Sequence, residues 1–192
     1  MISQKLINDF EKEVYDILLC YSGKEANIMV AGGSVLKVLE NINYTELNTA
    51  KWQIFFSDER IDSEDTNFDA AKVFFSKIYS NKVPFSCISE YNTIFSNISV
   101  DLALLGIGED GHVASLFPNS RSLKSNDYFI QINNSPKPPP KRNTITLKFI
   151  NEKVMKLIFL LPPVNNKVKE VKQPHFSILE KLKLPFTVFL KK

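Results

Sequence analysis

The sequence predicts an α/β sandwich built on a mostly parallel central sheet. Three observations predict it. Short apolar runs alternate with amphipathic stretches along the chain. Several of those runs, such as Leu102–Leu105 and Leu157–Leu161, are apolar without alternation, as strands buried on both faces are. The chemically unusual residues, Gly32-Gly33-Ser34, Asp58-Glu59-Arg60 and Gly106 to His112, each follow directly on an apolar run. Ligands of open α/β sheets bind outside the carboxyl ends of the strands. The three loops are therefore expected to converge on one edge. Five of the six glycines lie in two of them, which is where backbone must approach a ligand.

The 192 residues are read as a single domain spanning 1–192, with 44% hydrophobic and 23% charged residues, enough for a sizeable core. A net charge of +3 without a Lys/Arg block argues against nucleic acid. No apolar run reaches membrane-spanning length, so no membrane association is expected. Cys20 and Cys87 have neither metal-ligand nor disulfide-framework spacing. With no apolar h-region near residue 1, the reading is a cytoplasmic protein in a reducing compartment, and a monomer.

Taken in order, Ile2, Leu6, Ile7, Phe10, Val14, Ile17 and Leu18 fall at helical spacing, which predicts a helix over 2–19 stopped by Gly23. Asn27–Ala31 is a strand. Ser34 is placed to cap a helix starting at Val35. Trp52–Phe56 is the next strand, ending in the Asp58-Glu59-Arg60 loop. A helix is predicted over Asn67–Tyr79, and a weak strand over Thr93–Phe95. The apolar run at 102–105 delivers the glycine-rich loop. Tyr128–Ile132 alternates as a strand. The run Ser135 to Arg142 holds four prolines and is neither helix nor central strand, because proline fixes φ and lacks a donor. Ile145–Phe149 and Leu157–Leu161 are read as strands, Asn165–Val171 and Phe176–Lys183 as helices, and Phe186–Leu190 as a closing strand.

The chemistry concentrates in Gly106-Ile107-Gly108-Glu109-Asp110-Gly111-His112. His112 is the imidazole of this loop and can serve as a general base near neutral pH. No second ligand stands at metal-binding spacing around it. Ser115 is not in a nucleophile-elbow sequence, so a water activated by His112 fits better than a covalent serine. Gly32-Gly33-Ser34 before a helix is an anion site in kind, or a tight turn with an N-cap. Asp58-Glu59-Arg60 is a surface charge cluster, or it offers a guanidinium fork to phosphate. The proline run ending in Lys141-Arg142 is a linker, or a stiff segment holding a cation over the site. His175, after Pro174, reads as a surface or capping residue.

The block Gly106 to Pro118 resembles the 6-phosphogluconolactonases. Gly32-Gly33-Ser34, Asp58-Glu59-Arg60 with Thr66-Asn67, and Ser135 to Arg142 with Thr144 to Thr146 follow in that family's order. The resemblance covers roughly residues 30 to 170. It implies a three-layer sandwich of the sugar-phosphate isomerase/deaminase type and hydrolysis of 6-phospho-D-glucono-1,5-lactone in the oxidative pentose phosphate pathway. It implies no cofactor and no metal; the partner is a small sugar phosphate. On this reading His112 and Asp110 are catalytic, Asp110 orienting the imidazole. Gly32, Gly33, Ser34, Asp58, Arg60, Gly108 and Arg142 bind substrate, and loop amides or a cation stabilise the oxyanion. The sequence departs from the family after Leu157–Leu161, where Pro162 to Lys167 stands in place of Gly then Lys, so Lys167 receives no role. Two other readings remain: a deaminase or isomerase of the same fold, and a sugar-phosphate-binding protein without turnover.

Overall fold

The computed structural model describes residues 2–161 and 176–192. The chain runs β1 (Ile2–Ile7), α1 (Phe10–Leu19), β2 (Ala26–Val30), α2 (Ser34–Asn41), β3 (Trp52–Phe56), β4 (Asp58–Arg60), α3 (Asn67–Ala70), α4 (Lys72–Phe75), β5 (Asn81–Lys82), α5 (Ile88–Asn97) and β6 (Leu102–Leu105). A 3₁₀ turn at Arg121–Lys124 precedes β7 (Phe129–Ile132), β8 (Arg142–Ile145), α6 (Leu147–Lys153), β9 (Leu157–Leu161), α7 (Phe176–Leu179) and β10 (Phe186–Lys191). Seven strands form one sheet in the order β1-β10-β9-β6-β2-β3-β5, and every pair in it is parallel. A second sheet, β4-β8-β7, is antiparallel.

The central strands are buried along their length because helices cover both faces: no residue of β6 or β9 is more than 9% exposed. Right-handed crossovers put α1, α2 and α4 on one face and α5 and α6 on the other. Contacts between α1 and α2, α2 and α4, and α5 and β7 agree with that division. The chain turns back at β2, whose neighbours are β3 on one side and β6 on the other. A topological switch point of this kind opens a crevice at the carboxyl ends of β2 and β6.

Several elements differ from the sequence reading, each for a local reason. Residues 2–7 are strand, not helix. Asp9 accepts from Lys12 N at 2.9 Å and starts α1 there, and α1 buries Phe10, Val14 and Leu18 at four-residue spacing. Leu6, which a helix would turn inward, is 61% exposed, while Ile7 beside it is buried. Asp58–Arg60 is a strand held by β8 rather than a loop. The helix expected over 67–79 is two four-residue helices that meet at Ala71. Thr93–Phe95 lies inside α5, where Tyr91 and Phe95 form one buried stripe. After β8 the chain enters α6, because Thr146 caps it by accepting from Phe149 N at 3.2 Å. Ser34 is the first residue of α2, not its cap: Gly33 holds the cap position, with no side-chain bond. The last helix covers only 176–179. The helix expected at 165–171, Lys167 and His175 lie outside the described residues.

Candidate active site

Three adjacent strands, β6, β2 and β3, end side by side and deliver the three loops to one cavity of about 190 Å³. Ala31, Gly32, Gly33 and Ser34 come from the β2 end, Asp58, Arg60 and Asn67 from β4 and α3, Gly106 to Gly108, His112 and Ala114 from the β6 end, and Arg142 from β8. The small sheet thus closes the crevice that the large sheet opens.

The loop after β6 is folded around its histidine. Gly108 N donates to His112 O at 2.8 Å, and Gly111 N donates to Gly108 O at 2.8 Å. The imidazole lies back over Gly108 so closely that a β-carbon there would sit 2.0 Å from His112 Nδ1 and Cε1. Only glycine allows that approach. Phe117 packs against the ring, with centroids 5.0 Å apart. His112 Nδ1 is 2.5 Å from Asp110 Oδ1. An ionised carboxylate only accepts, so Nδ1 carries the hydrogen and Nε2 is left with the lone pair a general base needs. Burial pushes the Asp110 carboxyl upward, but the bond to His112, its charge and that of Lys137 outweigh it and hold the group below the usual range.

The opposite wall suits an anion. Gly33, at φ 63°, precedes α2, and a β-carbon on it would meet nothing within 4 Å, so the space beside it is open. Ser34, the first residue of α2, lines the same cavity, at the positive end of the helix. Gly32 is pressed against Asn67, whose Oδ1 would lie 2.1 Å from an added β-carbon. Arg60 Nη1 donates to the carbonyl and carboxylate of Asp65 at 2.9 and 3.0 Å, while its Nε is buried without a partner. A guanidinium held at one corner by Asp65 in the cavity wall is a planar cation of the kind that pairs with an anion's oxygens.

Asp58 and Arg142 sit in the cavity wall, but their main partners are internal. Asp58 is 6% exposed, and its carboxylate accepts from Ser57 Oγ at 3.1 Å and Ser115 Oγ at 2.7 Å. Arg142 donates Nε to Pro139 O at 3.1 Å, and Nη2 to Lys137 O at 3.1 Å and Pro138 O at 3.0 Å. Its Nη1 reaches Ser115 Oγ at 3.4 Å and stands 4.0 Å from Asp58. The sequence reading gave no site role to Asn67, Ala31, Ile107 or Ala114, which line the cavity. Asn67 carried a signal in the Thr66-Asn67 pair; the apolar residues carried none. Among the described residues no group of three or more His, Cys, Asp and Glu is arranged to hold a metal ion.

The chain matches the family described as glucosamine-6-phosphate isomerases/6-phosphogluconolactonase over residues 2–168. A probable 6-phosphogluconolactonase of Drosophila melanogaster is 34% identical over 146 residues, 66% of this chain and 60% of that protein. The chloroplastic 6-phosphogluconolactonase 3 of Arabidopsis thaliana is 30% identical over 186 residues, 78% of this chain and 57% of that protein. The chain therefore spans somewhat over half the length of these curated relatives. The crystal structure of a 6-phosphogluconolactonase from Thermotoga maritima shares the fold, with a TM-score of 0.77 at 24% identity over 100% of both chains. The three-dimensional structure of a Trypanosoma brucei 6-phosphogluconolactonase does so with a TM-score of 0.76 at 19% identity, covering 100% of this chain and 97% of that one. With the match running through six of the seven strands of the parallel sheet and all three loops, the chain belongs to the glucosamine-6-phosphate isomerase/6-phosphogluconolactonase family.

Proposed function

We propose that this chain hydrolyses 6-phospho-D-glucono-1,5-lactone to 6-phosphogluconate, with His112 as general base. The observation that carries the reading is the pairing of an Asp110-oriented imidazole with an anion-binding wall across one small cavity. The phosphate would lie against the α2 amides, Ser34 and Arg60, which leaves the lactone carbonyl toward the His112 loop. A water attacks that carbonyl carbon while His112 Nε2 takes its proton. The tetrahedral intermediate collapses with cleavage of the ring C–O bond, and the ring oxygen takes the proton back from the His112 imidazolium to become a hydroxyl. General-base assistance of this kind is worth about 10²–10⁴-fold. An activated ester such as a lactone needs little more. The family names and the length of chain matched support the same substrate class.

The test is acid release from the phosphorylated lactone, followed above its spontaneous hydrolysis. Wild type should accelerate it, and His112→Asn should lose about 10²–10⁴-fold in kcat while product binding stays nearly unchanged. Wild-type kcat in the variant would remove His112 from the mechanism. Ammonia release from glucosamine 6-phosphate without lactone turnover would replace the whole reading by a deaminase.

A further inference from the structure

Asp110 Oδ1 is approached from two sides. His112 Nδ1 lies 2.5 Å away and Lys137 Nζ 3.6 Å away. Lys137 belongs to the proline-rich run, and that run is fixed in place. Arg142, with its side chain only 7% exposed, donates to the carbonyls of three consecutive residues, Lys137, Pro138 and Pro139. Ser135 closes the other end: its hydroxyl donates to Lys137 O at 2.8 Å, and its amide donates to Pro140 O at 3.1 Å. Proline removes much of the remaining backbone freedom. The ammonium is thus delivered to the carboxylate by a stiff, clamped segment, unlike an ordinary surface lysine.

We propose that Lys137, held by the Arg142 clamp, is a positioning residue that fixes the Asp110 carboxylate and moderates its pull on the His112 imidazole. This rests on the general-base reading above. An aspartate facing the ring alone would favour the imidazolium, which is useless as a base. Sharing the same carboxylate oxygen with an ammonium keeps Asp110 ionised and aligned while weakening that preference. Other charges reach the cavity from β4, as Asp58 and Arg60, and from β8, as Arg142. Asp58 and Arg142 are paired with each other, and Arg60 with Asp65, so among the described residues Lys137 is the cation that acts on Asp110 directly. The arrangement gives Arg142 a task through the backbone it holds.

The experiment compares wild type, Lys137→Met and Lys137→Arg. Lys137 is half-exposed, so all three should share one thermal midpoint. The acid limb of the kcat/KM profile should move up by about half to one pH unit in Lys137→Met, with KM nearly unchanged, and return in Lys137→Arg. The ring C–H resonance of His112, one of only two histidines, should show the same displacement on NMR titration. An unmoved limb and titration would overturn the proposal, and so would a raised KM with an unmoved limb, which would make Lys137 a substrate contact. The NMR arm needs no turnover. A shifted titration in a protein without lactonase activity would preserve the coupling and reject the activity, so the two failures are distinguishable.

Discussion

At the scale of single residues, the site depends on two kinds of closeness. The first is Gly108 beneath the imidazole. Gly108→Ala places a methyl where His112 Nδ1 and Cε1 already are, so the ring must swing away from Asp110. A displacement near 1 Å is expected to cost at least about 10²-fold in kcat with a small change in KM. Stopped-flow kinetics on a variant of unchanged fold would measure it. The second is the fixed guanidinium of Arg60. Arg60→Ala should raise KM for the phosphorylated lactone by roughly 10- to 150-fold, the equivalent of a charge-assisted bond of about 1.5–3 kcal/mol. The pair with Asp65 is partly exposed and adds little to that number. On unphosphorylated glucono-δ-lactone the penalty should nearly vanish; an equal loss on both substrates would place Arg60 outside the phosphate site. Position in the sequence picked out both residues. Sequence did not show how they are held, because Asp65 and the folded-back ring are consequences of loop shape.

At the scale of elements, Glu59 organises the junction between β4 and α3. Its carboxylate accepts from Asn67 N at 2.6 Å, Phe68 N at 2.9 Å and Arg60 N at 2.8 Å, and it is only 4% exposed. Burial pushes its pKa above the ordinary glutamate value despite those three donors. A raised folded-state pKa means that the linked stability is fully present below the unfolded pKa and is lost as pH rises through the folded one. Glu59→Ala strands three N–H groups and should cost about 1.5–3 kcal/mol at pH 7 by urea unfolding. The gap to wild type should widen as pH falls toward 4, because only the wild-type carboxyl can take up the proton. A gap that narrows on acidification would contradict the assignment. The same junction shows what sequence could and could not reveal. Apolar runs such as Leu157–Leu161 announce themselves as strands. Three charged residues in a row do not, and β4 exists only because β8 pairs with it. Thr93–Phe95 fails for the converse reason: β-favouring residues were overruled by the Tyr91 and Phe95 stripe that α5 presents to the core.

At the scale of the whole molecule, two sheets must meet for the site to exist. The small sheet packs on α5, α6 and the chain at Phe85 through aromatic rings. Phe129 on β7 lies 4.7 Å from Phe149, 5.4 Å from Tyr91, 5.5 Å from Phe95 and 5.6 Å from Phe85, centroid to centroid. Phe129→Ala should therefore cost about 3–5 kcal/mol. Because β8, next to β7, carries Arg142, the proposed lactonase activity should fall at denaturant concentrations where the parallel sheet still gives its far-UV signal. Coincident loss of both signals would show that the small sheet does not loosen separately. The general layout, strands alternating with helices and loaded loops at one edge, was readable from the chain. The long-range pairing was not, since neither turn chemistry nor periodicity says which strands become neighbours. The pairing of β1 with β10 carries a consequence for biosynthesis. As the polypeptide leaves a ribosome, β1 emerges before the other six strands of its sheet, yet its whole register is supplied by Phe186–Lys191. Until that segment is translated, β1 has no berth, and β9 presents an unsatisfied apolar edge to solvent or to whatever chaperone meets it.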